Sequence, residues 1–174
     1  MNISDEIAKR ASDIETRIRR FLPEQYEYQK TIVDAMSYSV LAGGKRLRPM
    51  LMEAAYQMFD GIGQDIDSFM AAIEMIHTYS LVHDDLPAMD NDMYRRGKKT
   101  THAVYGEAMG ILAGDALLNY AFETVADALV RCNGDMRMIR AYAVLSRKAG
   151  IYGMIGGQVV DVELADGEVM QYRV

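Results

Sequence analysis

Four carboxylates fall within nine residues between Asp84 and Asp92, and three cations follow them within four residues, from Arg95 to Lys98. Carboxylates at this density suit a hard divalent cation such as Mg²⁺, which takes one or two of them and completes its coordination with water and phosphate oxygens. Arginine and lysine suit the phosphate itself. The segment therefore predicts both halves of a metal–diphosphate site.

The spacing of the carboxylates predicts how they converge. Asp84 and Asp85 close a predicted helix, and Pro87 forces a bend that can swing Asp90 back toward Asp84. A solvated acidic loop at a helix end is the alternative interpretation. Carboxylates are unfavourable at a helix C-terminus because they face the negative end of its dipole, and an unfavourable local choice often marks function.

A basic loop, residues 43–49 (Gly-Gly-Lys-Arg-Leu-Arg-Pro), lies upstream of the acidic segment. Its glycines permit backbone conformations closed to other residues. Lys45, Arg46 and Arg48 supply charge, and Pro49 opens a helix whose N-terminus favours anions. Such a basic run by itself is typical of a solvated turn. Together with the cations after Asp92, it predicts two anionic groups, one of them bridged by metal.

Composition limits the class of protein. The chain has 174 residues, 50% of them hydrophobic, which predicts one domain over 1–174 with a real core. A net charge of −6 and a pI near 5.1 argue against nucleic acid as a partner. One cysteine, Cys132, allows no internal disulfide. No apolar run reaches membrane-spanning length and no signal peptide opens the chain, so we expect a cytoplasmic protein without membrane insertion.

The hydrophobic periodicity is helical throughout and predicts an all-α fold. Glycine and proline punctuate the predicted helices. Gly106, Gly110 and Gly114 share one helical face, which predicts close helix packing, and Gly153, Gly156 and Gly157 predict a kink. The helices are expected at about 3–21, 29–42, 49–59, 65–85, 101–130 and 135–164.

Several polar groups interrupt apolar helical faces. His77 precedes Asp84 by seven residues and lies on nearly the same face, and Tyr79 lies between them. Gln158 lies on a predicted apolar helix near the C-terminal end. Ordinary core packing and interhelical hydrogen bonds are the alternative interpretation for all three residues.

Taken together, these residues identify a family. Segments 43–49, 80–98, 114–123 and 156–161 resemble, in order and spacing, the N-terminal part of the trans-isoprenyl diphosphate synthases, or polyprenyl synthetases, and most of all the bacterial farnesyl diphosphate synthases. The resemblance covers about residues 30–165. It implies a helical bundle of the isoprenoid synthase type, incomplete at its C-terminus.

The resemblance implies a role for each matching residue. Three carboxylates are expected to bind Mg²⁺, with Mn²⁺ as a substitute, and to form the catalytic group with Arg95: Asp84, Asp85 and Asp90. Arg95 is expected to hold an allylic diphosphate. The remaining substrate-binding residues, expected mainly around isopentenyl diphosphate, are Lys45, Arg48, His77, Arg96 and Gln158.

The implied reaction is a head-to-tail prenyl transfer. Loss of diphosphate from dimethylallyl or geranyl diphosphate leaves an allylic cation, which the double bond of isopentenyl diphosphate attacks before a proton is lost. Tyr79 and Ser80 are expected to limit chain length, and an aromatic residue five positions before Asp84 favours farnesyl diphosphate. Geranylgeranyl diphosphate synthase is an alternative. A non-catalytic partner subunit and a class I terpene cyclase are others, although a cyclase needs no second diphosphate pocket.

The sequence departs from the family pattern in one respect. Family members carry a second aspartate-rich motif downstream, and this chain ends at Val174 before it. We therefore expect a fragment with little or no activity by itself. The apolar faces left open by the missing helices are expected to be covered in a homodimer.

Overall fold

The computed structural model of the chain describes residues 2–24, 28–63 and 65–165. The predicted all-α fold is confirmed, because helices dominate and the described residues contain a single two-stranded hairpin. The helices are α1 Ile3–Arg19, α2 Lys30–Val40, α3 Leu47–Met58, α4 Ile66–Asp84, α5 Thr101–Tyr105, α6 Glu107–Arg131, α7 Met136–Ala149 and α8 Met154–Ala165, and the strands are β1 Tyr94–Arg95 and β2 Lys98–Lys99.

Helix α4 is the central element, because α1, α2 and α3 all pack against it. Its sequence is apolar on nearly every face, as expected of a helix surrounded by others. Met70 and Met75 are almost completely buried along it. Consequently, the polar residues at its C-terminal end are carried on a rigid core helix.

Arg17 on helix α1 forms hydrogen bonds with both α3 and α4. The Arg17 Nη1 atom donates to Glu53 Oε1 on α3 at 2.5 Å, and the Arg17 Nε atom donates to Asp67 Oδ1 on α4 at 3.1 Å. The hydrogen bond to Asp67 raises the pKa of the guanidinium above its ordinary value, and the bond to Glu53 acts in the same direction against burial.

Two long helices predicted from periodicity are broken in the structure. The helix expected at 101–130 ends at Gly106, whose φ of 88° closes α5 before α6 begins. Gly106 therefore terminates a helix, whereas Gly110 and Gly114 do lie in close packing contacts. The helix expected at 135–164 is divided between Gly150 and Gly153 into α7 and α8, which is a break where only a kink was predicted.

The hairpin was not predicted from the sequence. Tyr94 pairs with Lys99 and Arg95 with Lys98 in antiparallel register. The two turn residues, Arg96 and Gly97, have φ values of 52° and 77°, which is the backbone of a type I′ turn. With two residues a strand, no alternation of apolar and polar residues could reveal it.

The described residues fall into two compact units, divided between Ala128 and Leu129. The first contains α1 to α5 with most of α6, and the second contains α7 and α8, which pack on each other. The single domain over 1–174 stays a prediction. Within the described residues, no helix combines the length and the apolarity needed to cross a membrane.

Candidate functional site

The C-terminal end of α4 brings two carboxylates together. Asp84 is the last residue of the helix, and after the bend at Pro87 the Asp90 amide donates to the Asp84 carbonyl at 2.8 Å. The predicted return of Asp90 toward Asp84 is therefore confirmed. Burial, followed by the negative charge of Asp90, raises the pKa of the Asp84 carboxyl above its usual value. The pair thus holds like charges at close range.

Asp85 has a different environment from Asp84. Its side chain is buried, and the residue is 4% exposed. Its Oδ1 atom accepts a hydrogen bond from Nε of Arg95 at 2.6 Å, and the Nη2 atom of the same guanidinium lies 2.6 Å from it in an ion pair. Burial raises the pKa of the Asp85 carboxyl, although the contact with Arg95 opposes this shift. Its predicted metal ligation stays a prediction, and the observed contact is to Arg95.

The segment before the hairpin is fixed by two side chains that sequence reasoning missed. The Asp92 carbonyl accepts from the Thr100 hydroxyl at 2.7 Å and from the His102 Nε2 atom at 2.8 Å. Both side chains belong to buried residues. They hold the loop that carries Arg95 beside the end of α4. The signal in the sequence was the polar run Thr100-Thr101-His102 at the start of a helix.

A basic cleft of about 380 Å³ lies beside the acidic end of α4 in the first unit. It is built from the basic loop, from α4 and from the hairpin turn. The four cationic or imidazole side chains predicted for isopentenyl diphosphate all line it. Its lining consists of Gly44, Lys45, Arg46, Leu47, Arg48, Glu74, His77 and Arg96.

Arg96 reaches the cleft because glycine occupies position 44. The Arg96 Nη1 atom donates to the Gly43 carbonyl, and the guanidinium fills the space that a Cβ atom on Gly44 would need. Gly44 itself has a φ of 146°, in the region that favours glycine. A glycine in the basic loop therefore makes room for a cation from the hairpin.

His77 is held neutral by its surroundings. Burial, followed by the positive charge of Arg48, lowers the pKa of its imidazole to about 4, and Arg96 and Arg46 act in the same direction. Glu74 opposes the shift but does not cancel it. At neutral pH, His77 can therefore donate one N–H to an anion in the cleft, whereas Lys45, Arg48 and Arg96 supply the charge.

Arg46 stands apart from the other cations of the basic loop, because it is 3% exposed. Its guanidinium donates to Glu74 Oε1 at 2.7 Å, to Glu15 Oε2 at 2.9 Å and to the Val40 carbonyl at 2.7 Å. Sequence reasoning counted it among the phosphate-facing charges and missed Glu74. The available signal was a carboxylate, Glu74, in the middle of the apolar helix α4.

The two residues predicted to limit chain length lie on α4 one turn before Asp84. Tyr79 is buried, and its ring meets the His83 ring edge-on at 5.8 Å. The Ser80 hydroxyl donates to the His77 carbonyl at 2.9 Å. His83 in turn occupies the space beside Gly114 and donates from Nε2 to the Ile111 carbonyl at 3.0 Å, which fixes the end of α4 against α6.

Gln158, the remaining predicted substrate-binding residue, lies half-buried on α8 in the second unit. Its predicted role stays a prediction.

The donor set at the end of α4 suits a divalent cation held in part by other ligands. Among the residues that the structure describes, no three His, Cys, Asp or Glu side chains form a cluster that could enclose a metal ion. Mg²⁺ commonly binds through only one or two carboxylates and takes its other oxygens from water and phosphate. The like-charged pair Asp84 and Asp90 offers such a partial site, and burial followed by the charge of Asp90 raises the pKa of the Asp84 carboxyl.

Comparisons with known proteins agree on one family. The family model described as polyprenyl synthetase matches residues 29–173. A dimethylallyltranstransferase of Fischerella ambigua is 44% identical over 93% of this chain and 46% of its own length. The heterodimeric geranylgeranyl pyrophosphate synthase large subunit 1 of Arabidopsis thaliana is 50% identical over 75% of this chain and 36% of its own length.

The fold agrees with solved structures as well. The crystal structure of an FPP/GFPP synthase from Zymomonas mobilis aligns over 98% of this chain and 61% of the other, with a TM-score of 0.86 and 34% identity. The chain thus spans less than half the length of the two curated relatives and about three fifths of this structure.

Proposed function

The chain belongs to the polyprenyl synthetase family, and from this premise we propose that it carries the two diphosphate sites of a prenyltransferase. The reaction would be the head-to-tail condensation of isopentenyl diphosphate with an allylic diphosphate. The observation that carries the proposal is the hairpin turn. Its consecutive arginines face two differently charged regions, Arg95 the acidic end of α4 and Arg96 the basic cleft.

The acidic end of α4 is proposed as the allylic site. Asp84 and Asp90 would hold a divalent cation, Mg²⁺ with Mn²⁺ as a substitute, because both ions suit carboxylate oxygens. When bound, such a cation neutralises a diphosphate and makes it a better leaving group. Membership of the polyprenyl synthetase family supports the use of a divalent ion.

Arg95 would hold the allylic diphosphate in place. Its Nε and Nη2 atoms are occupied by Asp85, so the carboxylate sets the plane of the guanidinium and leaves Nη1 to reach the phosphate. Asp85 would then be a positioning residue for Arg95 as well as a candidate metal ligand. Orientation of this kind lowers the entropy lost on binding.

The basic cleft is proposed as the site for isopentenyl diphosphate. Lys45, Arg48 and Arg96 would balance the charge of the diphosphate without a metal ion. His77 would donate a hydrogen bond as a neutral imidazole, because its pKa is about 4. Gln158 is proposed as a further substrate-binding residue.

Product length is proposed to depend on Tyr79 and Ser80. The buried Tyr79 ring one turn before Asp84 supports farnesyl diphosphate, because a chain growing along α4 would meet it. The printed name of the Arabidopsis relative supports geranylgeranyl diphosphate as the second candidate. In an active preparation, Tyr79→Ala should lengthen the product. An unchanged product distribution by mass spectrometry would remove Tyr79 from this role.

A third candidate is a non-catalytic partner subunit, favoured by the word heterodimeric in the name of the same relative. The acidic pair and Arg95 argue against it, since a purely structural subunit has no need of them.

We propose a cytoplasmic homodimer, supported by the exposed apolar side chains Ile111 and Leu112 on α6.

The allylic site can be tested by calorimetric titration of geranyl diphosphate into the purified protein with Mg²⁺ and with a chelator. Binding is expected only with Mg²⁺ and should be lost in the double variant Asp84→Asn, Asp90→Asn. The matched control is Asp92→Asn, because Asp92 is an exposed carboxylate of the same loop that lies 3.6 Å from Arg95. Equal binding by the double variant and the control would contradict the proposed site.

A further inference from the structure

Arg46 occupies an uncommon backbone conformation. Its φ of 50° and ψ of 34° lie in the left-handed region, where a residue with a Cβ atom costs on the order of 1–3 kcal/mol. Such a conformation persists only where surrounding contacts impose it. At Arg46 the contacts are the three hydrogen bonds of its buried guanidinium, and they set the backbone that presents Lys45 on one side and Arg48 on the other.

The guanidinium joins three separate helices. Glu15 comes from α1, the Val40 carbonyl from the end of α2, and Glu74 from α4. The Met50 amide donates to the Arg46 carbonyl at 3.1 Å, so α3 starts from the same residue. The basic loop is thus held by one buried cation at the meeting point of four helices.

We propose that Arg46 is a positioning residue through which α1 sets the diphosphate affinity of the basic cleft. The contact that transmits the effect is the one between Glu15 and Arg46. This inference rests on the proposed use of the cleft for isopentenyl diphosphate, and it adds α1, an element that lines neither charged region, to the determinants of that site.

The ion pairs of Arg46 with Glu74 and Glu15 explain why loss of the Glu15 charge should weaken diphosphate binding. Burial opposes the charge of Arg46, yet hydrogen bonds to Glu74 and Glu15 outweigh it and keep the pKa of the guanidinium above its ordinary value. If Glu15 loses its charge, the Arg46 guanidinium keeps only Glu74 as an anionic partner. The hydrogen bond from Arg46 to Glu15 is then weakened. This bond is one of the three that maintain the strained backbone conformation of Arg46.

The loop geometry makes the cleft sensitive to this change. Lys45 adjoins Arg46 and Arg48 lies two residues after it, so relaxation of the Arg46 backbone moves both cations. Binding sites lose affinity when their charged groups are displaced by about 0.5 Å or more. Arg96 is held through the Gly43 carbonyl and would move with the loop.

The test compares two variants of the same kind, Glu15→Gln and Glu53→Gln. Both carboxylates receive a hydrogen bond from an arginine and link α1 to the core, and their side chains are 32% and 20% exposed. The Glu53 side chain, however, accepts from Arg17, and within the described part of the chain no hydrogen bond or ion pair joins it to a side chain of the basic loop. Both variants should lower the thermal midpoint, whereas only Glu15→Gln should weaken binding of isopentenyl diphosphate, by about 3- to 10-fold.

Hydrogen exchange in the unliganded protein gives a second readout. The amides of residues 44–50 should exchange faster in Glu15→Gln than in wild type, and at the wild-type rate in Glu53→Gln. Equal affinities and equal exchange rates in the two variants would overturn the inference, since a merely structural role of α1 would affect them alike. If wild-type protein binds no isopentenyl diphosphate, the proposed function of the cleft fails, and the exchange rates then decide whether α1 controls the loop.

Discussion

The acidic end of α4 and the basic loop are built on the same plan with opposite charge. Each has two like-charged residues in succession, Asp84-Asp85 in one and Lys45-Arg46 in the other. In each, one of the two is buried and neutralised by the opposite charge, and the other is left to face solvent or a ligand. The second residue is the buried one in both cases.

In each pair, one residue positions its neighbours and the other stays available to a ligand, and the sequence alone does not distinguish these two roles. Asp85 orients Arg95, and Arg46 fixes the basic loop, so each buried member positions its neighbours. The other members, the half-buried Asp84 and the exposed Lys45, stay available to a ligand. Within the part of the chain that the structure describes, neither has an opposite charge within 4 Å.

The two regions differ in how completely their charges are balanced by neighbouring side chains. The acidic end is next to its own cation, Arg95, but keeps the like-charged pair Asp84 and Asp90, which a divalent ion would balance. Among the described residues that line the basic cleft, Glu74 is the one anion and is paired with Arg46, while burial, followed by the positive charge of Arg48, keeps His77 neutral. We therefore propose a metal ion as the ligand of the acidic region and an anion as the ligand of the basic cleft.

The largest expected effect is on the free energy of unfolding, and it distinguishes the buried Arg46 from the exposed Lys45. Arg46→Met should lower the free energy of unfolding by about 3–5 kcal/mol, because Glu74 is left buried without its partner. Lys45→Met should change it by no more than about 0.5 kcal/mol. Urea unfolding followed by circular dichroism measures both. Similar losses in the two variants would show that the division of tasks in the basic loop is wrong.

The same comparison at the acidic end should be smaller. Asp85→Asn should cost about 1–3 kcal/mol of unfolding free energy, because it weakens the buried bond to Arg95. Asp84→Asn should leave stability unchanged or raise it, since Asp84, unlike Asp85, has no ion pair among the described residues and lies beside the negative charge of Asp90. A larger loss from Asp84→Asn than from Asp85→Asn would contradict the assignment.

The pH dependence of stability should report the burial of His77 and the positive charge of Arg48 beside it. The pKa of His77 is about 4 in the folded chain against 6.5 for the free group, so between these values the unfolded chain binds more protons. Stability due to His77 therefore falls as the pH decreases from about 6.5 to about 4. The upper limit is about 3 kcal/mol, which solvent at this half-buried group reduces to about 1–2 kcal/mol.

The His77 contribution can be isolated by difference, because other groups titrate in the same range. Urea midpoints of wild type and His77→Asn should diverge below pH 6.5, with the variant losing less stability on acidification. Parallel curves for the two proteins would mean that neither burial nor the cations of the cleft lower the pKa of His77 in the folded chain.

The smallest effect concerns the turn that joins the two regions. Gly97 has a φ of 77° and open space at its Cβ position, so Gly97→Ala should cost about 1 kcal/mol from backbone conformation alone. Arg95 contacts the acidic end of α4, and Arg96 lines the basic cleft. A change in the turn should therefore weaken the affinity for both diphosphates by a similar factor. Gly157→Ala on α8, which also has open space, is the control.

Much of the fold could be predicted because the helices are long and strongly periodic. The position of α4 was predicted to within one or two residues, since Asp65 and Pro87 bracket an apolar run. The breaks at Gly106 and at Gly150–Gly153 were harder, because glycine is compatible with continuing a helix and only tertiary packing decides. The hairpin is too short to leave a pattern.

Much of the site could also be predicted from the sequence, but the partners of its charged side chains could not. Charge type and spacing marked the acidic segment and the basic loop. The burial of Arg46 depends on Glu15 and Glu74, which are 31 and 28 residues away along the chain. Contacts at such separations follow from helix packing, so local sequence could not tell a phosphate-facing arginine from a buried one.

Calorimetric titration of isopentenyl diphosphate in the presence of excess chelator tests most directly whether the two regions divide the work between metal and protein cations. Wild-type protein should bind with the same affinity with or without Mg²⁺. Arg48→Met should lower that affinity at least about 10-fold, as expected for the loss of a charge-assisted bond to phosphate. Binding that requires Mg²⁺, or that depends on Asp84 and Asp90 and is indifferent to Arg48, would contradict the division.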